Sequence, residues 1–381
     1  MSIQIVIMPK TENDVVIIGG GLAGLCTAIH LRKLDIQVVL IEKNSYPQHK
    51  VCGEYVSNEV LPYLYWLGVD PFAAGATALK RLDFSSAAGR LTNCDLPLGG
   101  FGLSRYALDS LLYDKAVELG CVTIADTVGS TVYSNDSFAV QTLNSGVLHA
   151  RIVIGAYGKR SALDQRSGRK FIQTKSPWLA VKSHYAGEFA DDLVALHNFD
   201  GGYCGVSKVE NGVINICYLT DYAHFKACRN TAEFEAGVVC KNPFLKQIFE
   251  ESRNLFDQPL SISQVSFESK DAVHDHMIMV GDTAGLIHPL CGNGMAMAIH
   301  GAKIAAVYCS DYVRGRLSRT ALETNYLRAW NRNFKSRLAA GRLLSNVLQK
   351  KWLFEPMLNL LVKFPALLPA VVKRTHGQPF N

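Results

Sequence analysis

The stretch Asp14 to Glu42, DVVIIGGGLAGLCTAIHLRKLDIQVVLIE, decides the fold. An apolar strand, Val15 to Ile18, runs into Gly19-Gly20-Gly21-Leu22-Ala23-Gly24. A helix follows, then a second apolar strand, Val38 to Ile41, which ends in the acid Glu42. Strand, glycine turn, helix and second strand in this order are the frame that holds a dinucleotide. Gly19 permits the tight turn out of the strand. Gly21 has no Cβ, so a pyrophosphate can approach the backbone. Gly24 lets the helix pack closely on the strand. The helix begins at Leu22 and Ala23, where free N–H groups and the positive dipole end suit phosphate oxygens. Glu42, followed by Lys43, lies about 20 residues past the turn, where a carboxylate accepts hydrogen bonds from a ribose diol. An acid at that point favours an unphosphorylated ribose, hence FAD or NAD over NADP.

Outward from this unit, 381 residues exceed one typical domain and imply two lobes. Hydrophobic content of 48% with 19% charged residues suits a globular enzyme with a large core. The net charge of +6 is mild for this length, and without a basic arm or a recognition motif it excludes nucleic acid as a partner. The ten cysteines form no CxxC pair and no metal-ligand spacing, which implies reduced thiols in a cytoplasmic protein and no metal site. The opening MSIQIVIMPKTEN lacks a basic n-region and a small-residue cleavage site, so it is not read as a signal peptide. No apolar stretch approaches the ~20 residues needed to cross a bilayer.

Residues 43–47 read as a polar loop, and His49 to Glu54 leads into a helix from Ser57 to Leu67. Residues 78–96 read as a hairpin turning at Ala88-Gly89, and Gly99 to Gly102 as a flexible crossing. Ser104 caps a helix from Arg105 to Leu119 with an apolar stripe at Leu108, Leu111, Leu112, Ala116 and Leu119. A strand at 121–124 and alternating runs at 126–133, 137–142 and 147–154 form a meander. Period-2 patterning marks strands in Trp178 to Tyr185 and Val213 to Leu219. A helix covers about 231–253, and a strand pair brackets 260–267 and 276–280. From Met295 onward the chain reads as helical, with breaks at Pro356, Pro365 and Pro369. No second glycine-rich βαβ unit appears, which argues against a separate Rossmann domain for a pyridine nucleotide.

Three further segments narrow the reading. The strand Met277 to Val280 ends in Gly281-Asp282, followed by Ala284-Gly285, Pro289, Gly292 and Gly294. Leu103-Ser104-Arg105 opens the helix that carries Asp109. Gly155-Ala156-Tyr157-Gly158-Lys159-Arg160-Ser161 closes a strand. With the N-terminal turn, these resemble the FAD-dependent oxidoreductases of the para-hydroxybenzoate hydroxylase and geranylgeranyl reductase superfamily, over residues from about 14 to about 315. Val51-Cys52-Gly53-Glu54 is similar to the Cys-Gly segment of the geranylgeranyl reductase-like branch, which lies near the flavin ring.

The resemblance implies an α/β fold. A Rossmann-like FAD-binding domain, βαβ with a β-meander, carries an inserted antiparallel β-sheet substrate domain and a C-terminal helical tail. The FAD domain is discontinuous, at 1–77, 97–175 and 268–320. The substrate domain takes 78–96 and 176–267, and the helical region 321–381. FAD is expected to bind non-covalently, since no His or Cys is marked for attachment. The expected contacts are Gly19, Gly21, Leu22, Ala23, Gly24, Glu42, Lys43, Cys52, Gly53, Arg105, Asp282, Gly292, Asn293 and Gly294. Arg105 would reach the ribityl or phosphate region, and Asp282 would accept from ribityl hydroxyls. The N–H groups of the loop His288 to Gly294 would face the flavin N1–C2=O edge and stabilise an anionic reduced flavin. Cys52, His288 and Cys291 are candidate catalytic groups by type. Tyr203, in the segment Phe199 to Gly205, is a candidate substrate contact.

Two departures matter. Where monooxygenases of the superfamily carry Asp-Gly in the middle motif, this chain has Ala156-Tyr157-Gly158, and a tyrosine supplies no carboxylate. The reductant is therefore NAD(P)H bound in another way, or an electron-donor protein. The tryptophan-rich WxWxIP segment with its catalytic lysine, used by the related halogenases, is absent. The expected activity is oxidoreduction of an apolar small molecule. It is either reduction of a carbon–carbon double bond or hydroxylation with oxygen, with halogenation and non-catalytic electron transfer behind them. The tail at 342–374 is apolar, broken by lysines, and has one acid, Glu355. It packs on the core, closes a greasy pocket, or makes peripheral contact with a membrane.

Overall fold

The computed structural model describes residues 13–348, 351–364 and 366–380. The signal-peptide reading of residues 1–12 and the break at Pro365 lie outside them. The chain opens with β1 (Asn13–Ile18), α1 (Leu22–Lys33) and β2 (Val38–Glu42). β1 and β2 are parallel, with Val15 opposite Val38. Val15 to Ile18 are buried, and so is α1 from Leu22 to Leu31. A strand that is apolar along its length suits a parallel sheet covered on both faces.

Next come β3 (Tyr55–Ser57), a 3-10 turn at 58–60, and α2 (Leu61–Leu67), ended by Gly68 at φ +83°. The hairpin β4 (Thr77–Ser85) and β5 (Leu91–Gly102) leads to α3 (Arg105–Glu118). The Ser104 hydroxyl caps α3 by accepting from the Ala107 N–H at 3.0 Å. β6 (Val122–Ala125) adds parallel to β2. β7 (Val128–Ser134), β8 (Ser137–Thr142) and β9 (Val147–Gly155) make the meander, and β9 then continues parallel to β1. After α4 (Ala162–Arg166) come β10 (Trp178–Ala186), β11 (Leu193–Phe199), β12 (Gly202–Lys208) and β13 (Ile214–Asp221). They are followed by α5 (Tyr222–Lys226), α6 (Thr231–Gly237), α7 (Pro243–Glu251), β14 (Arg253–Asn254) and β15 (Leu260–Ser263). β16 (Val273–His274) and β17 (Met277–Met279) return to the first sheet. α8 (Gly294–Val313), α9 (Arg319–Leu348), α10 (Lys351–Lys363) and α11 (Leu367–Thr375) complete the chain.

The first sheet runs β16-β17-β9-β1-β2-β6, with β8 and β7 hung from β9. The second runs β14-β10-β13-β12-β11-β4-β5-β3, with β15 beside β10. One face of the second sheet forms a core with α6 and α7 through Val181, Tyr218, Phe234 and Leu245. The other face turns toward residues 265–267 and 286 beside the first sheet. There Trp178, Tyr203 and Leu219 meet Val265, Phe267 and Leu286. Farther along, Leu82, Phe84 and Val194 meet Leu361, Leu368 and Val372 of the tail.

Several local readings need correction. The strands at 260–267 and 276–280 do not pair. β15 is half exposed in alternation and suits the flank of β10, whereas fully buried Met277 to Met279 extend the parallel sheet beside β9. The helix at 231–253 is split, because Asn242 caps α7 by accepting from the Phe244 and Leu245 N–H groups and Pro243 follows it. The helix at 57–67 begins only at Leu61. The second sheet is not purely antiparallel, since β4 and β11 run parallel. β5 carries that sheet on to Gly102, and β3 closes its edge. Pro356 sits inside α10 and does not break it, because Met357 and Leu361 bind the helix to the sheet. Pro369 falls in the first turn of α11, where a missing N–H leaves nothing unpaired.

Two cations, the buried Arg169 and the half-buried Lys270, fix the loops that follow β9 and β17. Arg169 donates to the Asp164 carboxylate and the Thr283 carbonyl, each at 2.9 Å, and to the Asp271 carbonyl at 2.8 Å. Lys270 donates to the carbonyls of Lys159 and Asp282, both at 2.7 Å. Arg169→Met strands the Asp164 charge in the interior and is expected to lower the unfolding free energy by about 3 kcal/mol or more in a urea titration. A loss below about 1 kcal/mol would show that these loops hold without the guanidinium.

Candidate functional site

The first turn is built as its glycines require. Gly19 has φ +106°, and a Cβ on Gly24 would lie 2.0 Å from the Gly19 carbonyl oxygen. Gly21 differs: a Cβ there would meet only Arg105 Nη2, at 3.7 Å, so its open side faces a cavity. Gly21 is the N-cap of α1, and no side chain caps that helix. By contrast, α3 to α7 are capped by Ser104, Ser161, Asp221, Asn230 and Asn242, while α2 and α11 have no side-chain cap either. α8 also begins without a side-chain cap, after Asn293. The first turns of α1 and α8 line one cavity of 710 Å³. Two uncapped helix starts therefore offer N–H groups and positive dipole ends to the same space.

At the α1 end, Glu42 is clamped to the turn. Its carboxylate accepts from the Gly20 N–H at 2.7 Å and the Asn44 N–H at 3.0 Å. Arg105 forks onto Asp109 with two hydrogen bonds of 2.7 Å, and Lys50 donates to the same carboxylate at 2.8 Å. Burial alone would raise the Asp109 pKa; Arg105, seconded by Lys50, holds it below the usual range. Besides Cys52 and Gly53 the same cavity has an apolar part, a chamber. Leu82, Phe84 and Leu196 of the second sheet form one side, and Met357, Leu361 and Leu368 of α10 and α11 close it.

All but two of the expected site residues line this cavity. Gly19, Gly21, Leu22, Ala23, Glu42 and Lys43 stand at the α1 end. Cys52, Gly53, Arg105 and Asp282 follow, and Cys291, Gly292, Asn293 and Gly294 stand at the α8 end, with Tyr203 on the sheet side. Gly24 lies beneath the turn. His288 is buried behind the loop among Trp178, Tyr203 and Phe267. Its Nδ1 accepts from the Leu290 N–H at 3.3 Å, and burial drives its pKa down to about 3, so the ring is a neutral structural cap that does not face the cavity. Burial pushes the Cys291 thiol up to about 12, which keeps it protonated near neutral pH. Cys52 Sγ lies 3.5 Å from Met295 Sδ in the cavity wall.

Sequence reasoning missed a buried charge cluster. Glu54, fully buried at the cavity wall, accepts from Lys182 Nζ at 2.5 Å, the Arg105 N–H at 2.7 Å and His184 Nε2 at 2.8 Å. Its backbone has φ +54°, a conformation that costs a non-glycine residue about 1 kcal/mol or more and persists only when its surroundings fix it. Lys182 is fully buried too. Burial pulls the Glu54 pKa up, yet the His184 hydrogen bond and the Lys182 charge leave it below its ordinary value of 4.5. The sequence carried a hint of the cluster's members but not of their contact. Lys182 and His184 flank Ser183 in the otherwise apolar strand Trp178 to Ala186, and Glu54 follows the quoted Cys52-Gly53.

Two outcomes are expected. Gly21→Val leaves Gly21's extended backbone and the fold undisturbed but fills the open side of the turn, so flavin content after purification should fall at least tenfold while the melting temperature of the flavin-free protein is unchanged. Glu54→Gln strands Lys182 and should destabilise the protein by about 3 kcal/mol at neutral pH. Because the folded pKa of Glu54 is depressed, its contribution is complete above pH 4.5 and is lost as pH falls through the lowered value. The gap between wild type and variant in denaturant titrations should therefore close only in acid; a gap that is constant with pH would contradict the ion pair.

Comparison with known proteins agrees with this geometry. The sequence model of the FAD binding domain matches residues 12–328. Menaquinone reductase of Mycobacterium tuberculosis is 23% identical over 338 residues, covering 84% of this chain and 81% of that protein. Digeranylgeranylglycerophospholipid reductase 1 of Methanothermobacter thermautotrophicus is 27% identical, covering 78% and 77%. The structure of the flavin-dependent brominase Bmp2 superposes with a TM-score of 0.80 at 19% identity, over 97% of this chain and 95% of that one, which shows a shared fold. The family match takes in the starts of α1 and α8 and the whole second sheet between them, and the chain belongs to the FAD binding domain family.

Proposed function

We propose that this flavoprotein reduces a carbon–carbon double bond in an apolar, chain-like substrate. The observation that carries the reading is the apolar chamber, which shares one cavity with Cys52 and Gly53 of the flavin cradle and is closed by α10 and α11. Each buried methylene contributes roughly 0.8 kcal/mol, so such a chamber selects hydrocarbon over polar ligands. The reductase names of the menaquinone and digeranylgeranylglycerophospholipid relatives support the same direction.

The cradle fits FAD, because α1 and α8 present uncapped N–H groups and Gly21 leaves the turn open. The turn Gly19 to Ala23 would hold the diphosphate, Glu42 and Lys43 the adenosine side, Arg105 and Asp282 the ribityl chain, and Gly292 to Gly294 the pyrimidine edge. Bound FAD supplies the hydride chemistry. The chain's own residues orient the substrate and exclude water. Leu82, Phe84 and Leu361 seat the apolar body, and Tyr203 borders the flavin end.

Halogenation stands behind reduction in this reading because the WxWxIP segment is absent from the sequence. Tyr157 stands where a carboxylate would serve NADPH, and its hydroxyl points at Met279 Sδ at 3.7 Å. We infer that electrons arrive from NAD(P)H bound elsewhere or from a donor protein. No helix among the described residues is long and apolar enough to cross a membrane. Exposed Leu343, Leu360, Phe364 and Leu367, near Lys363 and Lys373, suit contact with a lipid surface.

The deciding experiment reduces the FAD-loaded protein with dithionite under anaerobic conditions and adds a polyprenyl lipid. Reoxidation of the flavin without oxygen, with a product heavier by two hydrogens, is the expected result. A flavin that stays reduced until oxygen enters, and then yields a product heavier by one oxygen, would assign hydroxylation instead.

A further inference from the structure

A second cavity of 250 Å³ lies beyond the chamber, between β5 and α11. Leu96, Pro97, Leu98 and Val372 line it, and the exposed side chains of Lys373 and Gln378 stand at its rim. Four residues border both cavities: Tyr55, Leu96, Val372 and His376. Two of these form the partition. The Tyr55 hydroxyl and His376 Nε2 are 3.3 Å apart. His376 Nδ1–H donates to the Val372 carbonyl at 2.9 Å, which fixes the tautomer and leaves Nε2 as the acceptor of the Tyr55 O–H.

The partition has the build of a door. Its bond is long at 3.3 Å, and it is neutral because burial lowers the pKa of His376 and raises that of Tyr55. The Tyr55 ring lies between two glycines. A Cβ on Gly100 would sit 2.3 Å from the ring, and one on Gly292 of the flavin turn would sit 3.4 Å from it. His376 joins α11 to a terminal latch. There the Gly377 N–H donates to Glu59, and the Phe380 ring stacks on His300 with centroids 4.0 Å apart. The door is thus hung between an anchored chain end and a strand beside the flavin cradle.

We propose that Tyr55 and His376 gate a passage that carries the far end of an extended acyclic hydrocarbon chain into the second cavity, while the reacting segment stays in the main chamber. The proposal rests on the reading of that chamber as the substrate site, and it adds that the substrate is longer than the chamber and linear in outline, not a compact ring system. The mainly apolar lining of the second cavity, its opening to the surface at Lys373 and Gln378, and the four residues shared with the chamber suit such a ligand.

The test is titration calorimetry of the FAD-loaded protein with a homologous series of linear saturated primary alcohols. In the wild type, each added methylene should tighten binding about fourfold. The gain should continue past the length at which two variants that fill the second cavity, Leu98→Trp and Gln378→Trp, stop gaining. Short alcohols should bind all three proteins equally. Either variant suffices if the other fails to retain flavin. A wild type that stops gaining at the same length as the variants would overturn the passage and leave the chamber standing. Failure of every alcohol to bind the wild type would overturn the chamber itself.

Discussion

Two helix starts without side-chain caps, aimed into one cavity, are the constraint on which the rest of the structure depends. The first-turn N–H groups of α1 and α8 have no intrahelical partners, and no serine, aspartate or asparagine side chain takes them up. Left dry and unpaired, each such donor would cost about 1–3 kcal/mol. α3 to α7 are capped by side chains, whereas α1 and α8, like α2 and α11, are not; at α1 and α8 the open first turn lies on the cavity beside the glycine turns. The parallel sheet makes the arrangement possible. β1 and β17 flank β9, so the turns that follow them emerge at the same sheet edge. Arg169 and Lys270 then tie the loops after β9 and β17 together from behind.

The second sheet supplies the other half of the site as a gradient along one face. Near Cys52 that face carries Lys182, His184 and Asn215, and the Asn215 amide donates to the Cys52 carbonyl at 3.4 Å. Toward β4 and β5 it becomes Val194, Leu82 and Phe84, which the tail helices cover. The charged end is sealed by Glu54, whose carboxylate also receives the Arg105 N–H at the start of α3. One buried acid thus fixes the second sheet relative to the helix that carries Arg105 in the flavin cradle. Such a pair is costly to desolvate, and here it joins β10 of the second sheet to the start of α3.

How much of this was legible in the sequence follows from the range of each interaction. The βαβ unit was readable because its signals are local: an apolar strand, glycines at fixed offsets, and an acid at the end of the next strand. The Gly281-Asp282 turn and the loop to Gly294 were readable for the same reason. The Glu54–Lys182 contact spans 128 positions and needs a positive φ at a glutamate, which no local pattern announces. Strand alternation fails for β10, where both faces are buried. His288 was suggested by residue type, but only packing against Phe267 and Trp178 shows that it faces away from the cavity. Pro356 and Pro369 read as breaks because proline disfavours helix interiors; the sheet under α10 and the first-turn position in α11 override that preference.

The most direct test of the central claim is a crystal structure of the protein with FAD bound. The diphosphate should lie against the first turn of α1 and the pyrimidine edge of the flavin against the first turn of α8, with the flavin ring facing the apolar chamber. FAD bound with its ends reversed, or outside the space between these two helix starts, would contradict it.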